Sequence, residues 1–335
     1  EVGVETGVTA DFGRPFVGGT AFIRDNEGSP EPDDDIAGFN IVPVAGTTTS
    51  EDGTAAQFDI SLTSQPAEPV TLGLSTNDAG EGLVSTTSVT FTPGDWNIPQ
   101  RVSVTGTDDS VVDGNASYLL LTAAAVSNDP AYAGLESDNV GLTNTDDDSA
   151  SVTIVVVDAT LREGTIGDTT DFTFEVSLTG AVEGGFSLAY TTNDGTATVG
   201  DGDYLDDDGV LGFDGDDGES QLITVTVNHD SKVEIDEQFS VLLGALSDVD
   251  PSVAANVSVD GNPVVATTAN DDTSVITIGS GANSEDNAGT STPFIFEVEL
   301  SNPVQGGFAL AFSTADGTAT LADADYVDID SSLSF

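Results

Sequence analysis

The residues DGTATVGDGDYLDDDGVLGF (194–213), followed after a Gly/Asp loop by LITVTVNHDSKVEIDEQFSV (222–241), set apolar runs against acidic turns. Ile223, Val225 and Val227 share one face at a period of two, and Phe239, Val241 and Leu243 do the same. That is the pattern of half-buried strands. Between the two runs stands an acidic corner, His229-Asp230-Ser231-Lys232-Val233-Glu234-Ile235-Asp236-Glu237. An Asp-Gly turn opens the stretch, and the pair Asp203-Tyr204 precedes a short strand ending in Phe213. The strands are apolar, and the acids crowd where two of them meet. Crowded carboxylates repel one another, so a folded chain holds them together when a cation sits among them.

The same plan recurs on both sides. PFIFEVELSNPVQGGFALAFST (293–314) restates DFTFEVSLTGAVEGGFSLAYTT (171–192), and DGTATLADADYVDIDSSLSF (316–335) restates 194–213. Upstream, Phe58, Ile60 and Leu62 alternate with polar residues, Val102 and Val104 follow, and an acidic corner runs from Asp108 to Gly114. The period of about 120 residues is too long for a solenoid turn and suits a string of sandwiches. The expected division is a tail of a preceding module or N-terminal arm (1–35), a divergent sandwich (36–149), a full one (150–272) and the front half of a third (273–335). Short acidic seams, Asp146–Ser149 and Asp271–Ser274, join the units without a flexible Gly/Ser linker. Helical signal is nearly absent; Ala-rich TAAAVS (122–127) is too short to stand alone. The expected fold class is all-β: tandem immunoglobulin-like β-sandwiches.

Composition narrows the partners. Among 335 residues, 59 acids face 5 Lys plus Arg, a formal net charge of −54. Nucleic acid needs clustered Lys and Arg, so it is excluded as a natural partner, and anionic membrane surfaces are disfavoured. A hydrophobic content of 38% in strand-like alternation argues against disorder. The chain has no Cys, so packing or metal must supply what disulfides would. No apolar run approaches the ~18 residues of a membrane span. The acidity also fits a salty habitat, where a charged surface keeps proteins soluble.

The ordered set DGTA (194–197), Asp203-Tyr204, the run Asp230…Glu234…Asp236-Glu237…Phe239, LREG (161–164) and Asn270-Asp271-Asp272 resembles the Calx-beta module. That module is the calcium-binding β-sandwich of sodium–calcium exchangers and many extracellular proteins. The resemblance implies Ca2+ at one end of the second unit, with Glu163, Asp203, Asp230, Glu234, Glu237, Asp271 and Asp272 as ligands and the Lys232 backbone carbonyl as a further one. A hard cation of this kind takes six to eight oxygens. His229 stands where the family has another Asp, which puts one calcium position in question. In the first unit Glu51, Asp108, Asp109, Asp113, Asp147 and Asp148 occupy corresponding places. There Asn77-Asp78-Ala79-Gly80 replaces DGTA, Asp113 replaces the first Glu of the acidic run, and Ala116 replaces the second. That unit carries either a thinner calcium site or a solvated acidic surface. In the third, Glu285 and Asp325 make half a site. Asp194 and Asp316 read as turn formers, and Tyr204 and Tyr326 as core anchors.

No segment has the EF-hand spacing, and the nonapeptide calcium repeat is absent. Asn115-Ala116-Ser117 and Asn256-Val257-Ser258 fit the glycosylation sequon, a triplet common by chance. His229 has no Ser or Cys partner identifiable by motif, so catalysis is not expected. Paired carboxylates serve glycosidases, but a single Trp and no pocket-forming insertion speak against one. The expected role is a calcium-rigidified structural or adhesive segment of a long secreted surface or filament protein, at the cell surface or outside the cell. Its partners would be neighbouring modules or copies of itself in a surface layer or filament, with no membrane insertion. The rivals are a calcium-sensing regulatory module and accessory modules of a secreted hydrolase. Half a third sandwich would expose an apolar face and open edges. The expectation is therefore a longer polypeptide, or strand donation between molecules with 1–35 as donor.

Overall fold

A computed structural model describes residues 36–164, 167–284 and 290–335. The proposed arm at 1–35 and Glu285 lie outside the described residues.

Two β-sandwiches follow one another. In the first, Phe39–Pro43, Ala55–Leu62, Gln100–Gly106 and Gly82–Val84 form one sheet in that order. The facing sheet runs Val126–Ser127, Val70–Thr76, Ala116–Thr122, Val140–Thr145, Thr48–Ser50, with Ser88–Phe91 also pairing Val70–Thr76. Period-two alternation sends Phe58, Ile60, Val102 and Val104 into the core. The residues between point outward, where Asp59 lies opposite Arg101 and pairs with it at 2.9 Å.

The second sandwich sets Ser220–Asn228, Thr169–Thr179, Ala150–Val156 and Val257–Asp260 against a five-stranded sheet. That sheet runs Thr160–Arg162, Val264–Ala269, Glu237–Ser247, Phe186–Asp194, Gly209–Phe213. Phe239 is the hub of the core: Tyr204 stacks on it at 4.8 Å and Phe172 meets it edge-on at 5.4 Å. Aromatic pairs in these geometries add to burial. Asp194 does more than form a turn, since its Oδ1 accepts from the Tyr204 hydroxyl (2.8 Å) and the Val199 amide (3.0 Å). Asp316 repeats this with Tyr326 and Leu321. One element is absent from the sequence reading, the single-turn helix Pro251–Ala254. Asp250 caps it by accepting from the Ser252 amide, and Pro stands in its first turn.

The seams are built by the acidic corners. Val111–Val112 of the first unit pairs in parallel with Ala181–Val182 of the second. Val112 is fully buried and belongs to the second sandwich's core, with Val182 and Val253. The seam repeats one unit on, where Val233 bridges Val304. There the Val233 amide donates to Pro303 O and the Gln305 amide to Val233 O, both at 2.9 Å. Each contact uses the tight turn after Val182 or Val304. Gly185, at φ +68°, permits that turn: an added Cβ would lie 2.2 Å from Phe213 O. Among the described residues, the third unit forms two separate two-stranded ladders, Ile276–Ile278 with Val298–Leu300 and Ala309–Ser313 with Asp330–Ser334. Phe294, Ile295, Phe296, Phe312 and Leu333 are exposed on it.

Candidate metal centres

Strand ends deliver the acids. In the second unit Thr160–Arg162 runs parallel to Val264–Ala269, so Glu163 leaves its strand beside Asn270-Asp271-Asp272. The Glu163 amide donates to Ala269 O at 3.1 Å. The corner at 229–237 is laced by its own backbone: Lys232 N–H donates to Asp230 Oδ1 (2.6 Å) and Glu234 N–H to Asn270 Oδ1 (3.2 Å). Asp230 N–H donates to Glu163 Oε1 (3.1 Å).

Two carboxylate clusters result, in each of which one oxygen per residue lies within 4.8 Å of the others. One joins Glu163, Asp230 and Asp272, and the other Asp203, Glu234 and Glu237. Asp271 stands outside both, with Oδ1 accepting from the Gly164 amide at 3.1 Å. Glu163 is 9% exposed and Glu237 5%. Burial first, then the charges of Asp230, Glu234 and Asp272, push the Glu163 carboxyl from 4.5 up to about 7, against the opposing Asp230 amide bond. Glu237 is raised chiefly by burial, with the bond from Gln305 opposing. Asp272 is raised by burial and then by Asp271 and Asp230, with His229 opposing. The Lys232 side chain enters the second cluster and pairs with Glu234. His229 bonds Thr170 Oγ1 through Nε2 at 2.8 Å and packs on Gly164, where an added Cβ would lie 2.5 Å from the ring.

The first unit repeats the first cluster. Glu51 N–H donates to Thr145 O at 3.2 Å, as Glu163 does to Ala269. Glu51 meets Asp108 and Asp147 in one grouping and Asp146 and Asp148 in another, each within 4.8 Å. Glu51 is 5% exposed. Burial, then the charges of Asp109 and Asp146, raise it from 4.5 to about 7. Burial, then Glu81, Asp146, Asp109 and Glu183, raise Asp113 to about 6. Asp109 and Asp113 join neither grouping, and Asp109 Oδ1 instead accepts from the Val111 amide at 2.7 Å.

Sequence reasoning missed two acids. Asp146 stood in the closing run as a seam residue, yet it converges on Glu51. Glu81, whose charge adds to the burial that raises Asp113, stands on a turn only three positions after Asp78, whereas Asp203 stands nine after Asp194. No spacing signal survives that shortening. In the third unit Asp325 Oδ2 accepts from the Thr320 amide at 3.0 Å.

The donor sets fit a hard cation. Glu51 Oε2, Asp113 Oδ1, Asp148 Oδ2 and Asp272 Oδ2 are buried without a hydrogen-bond partner. Buried carboxylate oxygens are normally satisfied, because leaving one bare costs its full desolvation. All-oxygen, all-acid clusters suit calcium or magnesium better than softer metals.

The Calx-beta domain model matches residues 33–155, 145–274 and 270–335. Comparison with curated protein sequences gives no match. Among solved structures, the apo-form Calx CBD1 domain is similar at 24% identity and TM-score 0.29, covering 36% of this chain and 98% of its own. CBD12 from CALX1.2 is similar at 16% identity and TM-score 0.28, covering 68% and 98%. The calcium binding domain CBD12 of CALX1.1 follows at 14% and TM-score 0.28, covering 66% and 96%. The assignment rests on three successive matches that together run from residue 33 to residue 335, and by them the chain belongs to the Calx-beta domain family.

Proposed function

We propose that the acidic ends of these units bind calcium and that the array is a calcium-stiffened structural or adhesive segment of an extracellular or cell-surface protein. The observation that carries calcium is the Glu51 carboxylate, buried among Asp108, Asp146, Asp147 and Asp148 with Oε2 bare. Glu163 with Asp230 and Asp272 forms the corresponding grouping one unit on, where the bare oxygen is Asp272 Oδ2. A bound ion would satisfy the bare oxygens and offset the burial and the repulsion that raise both glutamates. Glu163, Asp230 and Asp272 would hold it in the second unit, Glu51, Asp108, Asp146, Asp147 and Asp148 in the first. Asp203, Glu234 and Glu237 would hold another, where Lys232 already offsets one charge. The ion supplies charge neutralisation and cross-linking, not chemistry on a substrate.

Stiffness is supported by the seam. Val112 sits in the next sandwich's core, so the acidic corner that would hold the ion also fastens the neighbouring unit. Among the described residues no helix is long and apolar enough to cross a membrane.

Thermal melts in chelator and in excess calcium test the reading. An ion at ~100 times its dissociation constant adds ~2.7 kcal/mol per site when it binds only the folded form. Superimposable curves would sink the calcium assignment. Affinity separates the roles: a scaffold in a calcium-rich medium works with sites at ~10⁻⁴–10⁻³ M, while ~10⁻⁷–10⁻⁵ M would point to a sensor.

A further inference from the structure

The joint between units has a side that enters and a side that receives. Val112, on the acidic corner of the first unit, enters the second core with Val182 and Val253. The turn AVEGG (181–185) holds it by the ladder at Ala181–Val182 and by the Glu183 amide, which donates to Val112 O at 3.0 Å. The third unit receives Val233 in the same way through PVQGG (303–307), with the Gln305 amide as donor. The receiving turn thus offers a free amide at its third residue and a positive-φ Gly at its fifth, Gly185 at +68° and Gly307 at +62°. In the second unit it also has a side chain no larger than Val253 in the core that the corner enters.

The first unit has the same turn and departs from it at each of these places. Leu62 and Leu178 are buried near the ends of matching strands, which sets QPAEP (65–69) against AVEGG. Pro69 takes the place of Gly185, and a proline ring holds φ at about −65°, so the turn cannot take the same shape. Ala67 takes the place of Glu183, and its amide is already used: Asp129 Oδ2 accepts from it at 2.6 Å. Asp129-Pro130 matches Asp250-Pro251, each Asp accepting from the amide two residues on, Ala131 or Ser252. One residue further stand Tyr132 and Val253. Tyr132 is 1% exposed and reaches the turn, where its hydroxyl donates to Ser64 O at 2.8 Å and accepts from the Ser64 amide at 3.2 Å. Phe39 packs edge-on against its ring at 6.1 Å.

We infer that Tyr132 fills in the first unit the space that Val112 fills in the second, so that the first sandwich gives a corner to its neighbour and receives none. A tyrosine exceeds a valine by most of a phenol ring, and a close-packed interior has no room for the ring and an entering side chain together. Pro69 and Asp129 remove the turn shape and the free amide that an entering corner would use. The first unit is thus the cap of its run of docked sandwiches, as stacked arrays need end repeats that close the open face. A sandwich preceding it would attach by some other contact, and the run extends in one direction only, through the corners. None of these contacts uses a carboxylate of the metal clusters.

The chain has no Cys, so one engineered pair reads the joint cleanly. Val111 and Ala181 are partners in the ladder across the first joint. Val111→Cys with Ala181→Cys in the full chain should form a disulfide when the corner is seated, followed as thiol lost at fixed oxidant and calcium concentrations. Position 253 is then enlarged toward the residue of the first unit. Val253→Ala should leave closure near the wild-type rate. Val253→Leu and Val253→Tyr should slow it increasingly, Tyr by ~10-fold or more, the scale on which overfilling a packed site acts. Closure at the wild-type rate in both overturns the inference, and if the Tyr chain does not fold, the Leu chain decides. In the reverse direction, a peptide of residues 107–115 with Val111→Cys is offered to the full chain with Gln65→Cys, the counterpart of Ala181. Its capture should be no faster than that of a peptide of scrambled order, and faster once Tyr132→Val and Pro69→Gly open the turn. Trp96, the single Trp, packs against the first core, and its fluorescence shows that the opened unit remains folded. Capture above the scrambled rate with Tyr132 and Pro69 in place, or no gain when both are replaced, overturns the closure.

Discussion

Glu163→Gln should make the calcium-free second unit more stable and the calcium-loaded one less so. In the fold the Glu163 carboxyl is raised from 4.5 to about 7, by burial and by Asp230, Glu234 and Asp272. A folded value above the unfolded one means that the folded state holds the proton through that window. The calcium-free stability is therefore full below about pH 4.5 and lost as pH rises through about 7. At 1.36 kcal/mol per pH unit, the ionised form at pH 8 costs on the order of 3 kcal/mol, reduced by whatever repulsion the neighbours relax. Gln carries no charge and keeps an oxygen for the Asp230 amide. In chelator the variant should match wild type near pH 4.5 and exceed it by about 1–3 kcal/mol at pH 8, a midpoint shift of several degrees for a domain this size. In calcium the order reverses. A site at ~100 times its dissociation constant contributes ~2.7 kcal/mol, and a tenfold weaker one about 1.4. Calorimetric melts from pH 4.5 to 8, with chelator and with calcium, read both halves. A variant less stable than wild type in chelator at pH 8 would refute the buried-charge argument, as would a gap that does not change with pH.

Other outcomes follow from the same geometry. Glu237→Ala should lower the calcium-dependent stability of the second unit while its calcium-free stability stays level or rises, since burial raises this carboxyl too; equal loss with and without calcium would mean a purely structural role. Val112→Ala lies in the first unit yet should destabilise the second, by on the order of 2 kcal/mol, because its side chain fills the second core. Tyrosine fluorescence melts, set against Trp96 melts, show which unit responds.

Much of the fold is legible because strand geometry is local. Successive side chains point to opposite faces, so the alternation at 223–227 and 239–243 declares the inward residues without knowledge of their neighbours. Ile223, Val225, Val227, Phe239, Val241 and Leu243 are all buried. The single turn Pro251–Ala254 escaped because four residues cannot show a 3.6 period, although Asp250 before Pro251 is a capping signal.

The amino-acid sequence by itself determined the all-β class, the repeat and which strand junctions are crowded with acid. Tertiary structure decided which of those acids meet. Asp271 and Asp272 are neighbours in the chain, yet only Asp272 joins Glu163 and Asp230, because the parallel pairing of 160–162 with 267–269 sets how the closing run leaves its strand. Glu51 meets Asp146 and Asp148 across almost the whole first unit, and Gln305 reaches the Glu237 carboxylate from the next one. Period two follows from the geometry of one extended chain, so any stretch shows it. Convergence of charges far apart in the chain depends on strand register and on the docking of one sandwich against the next, and neither is a property of any local stretch.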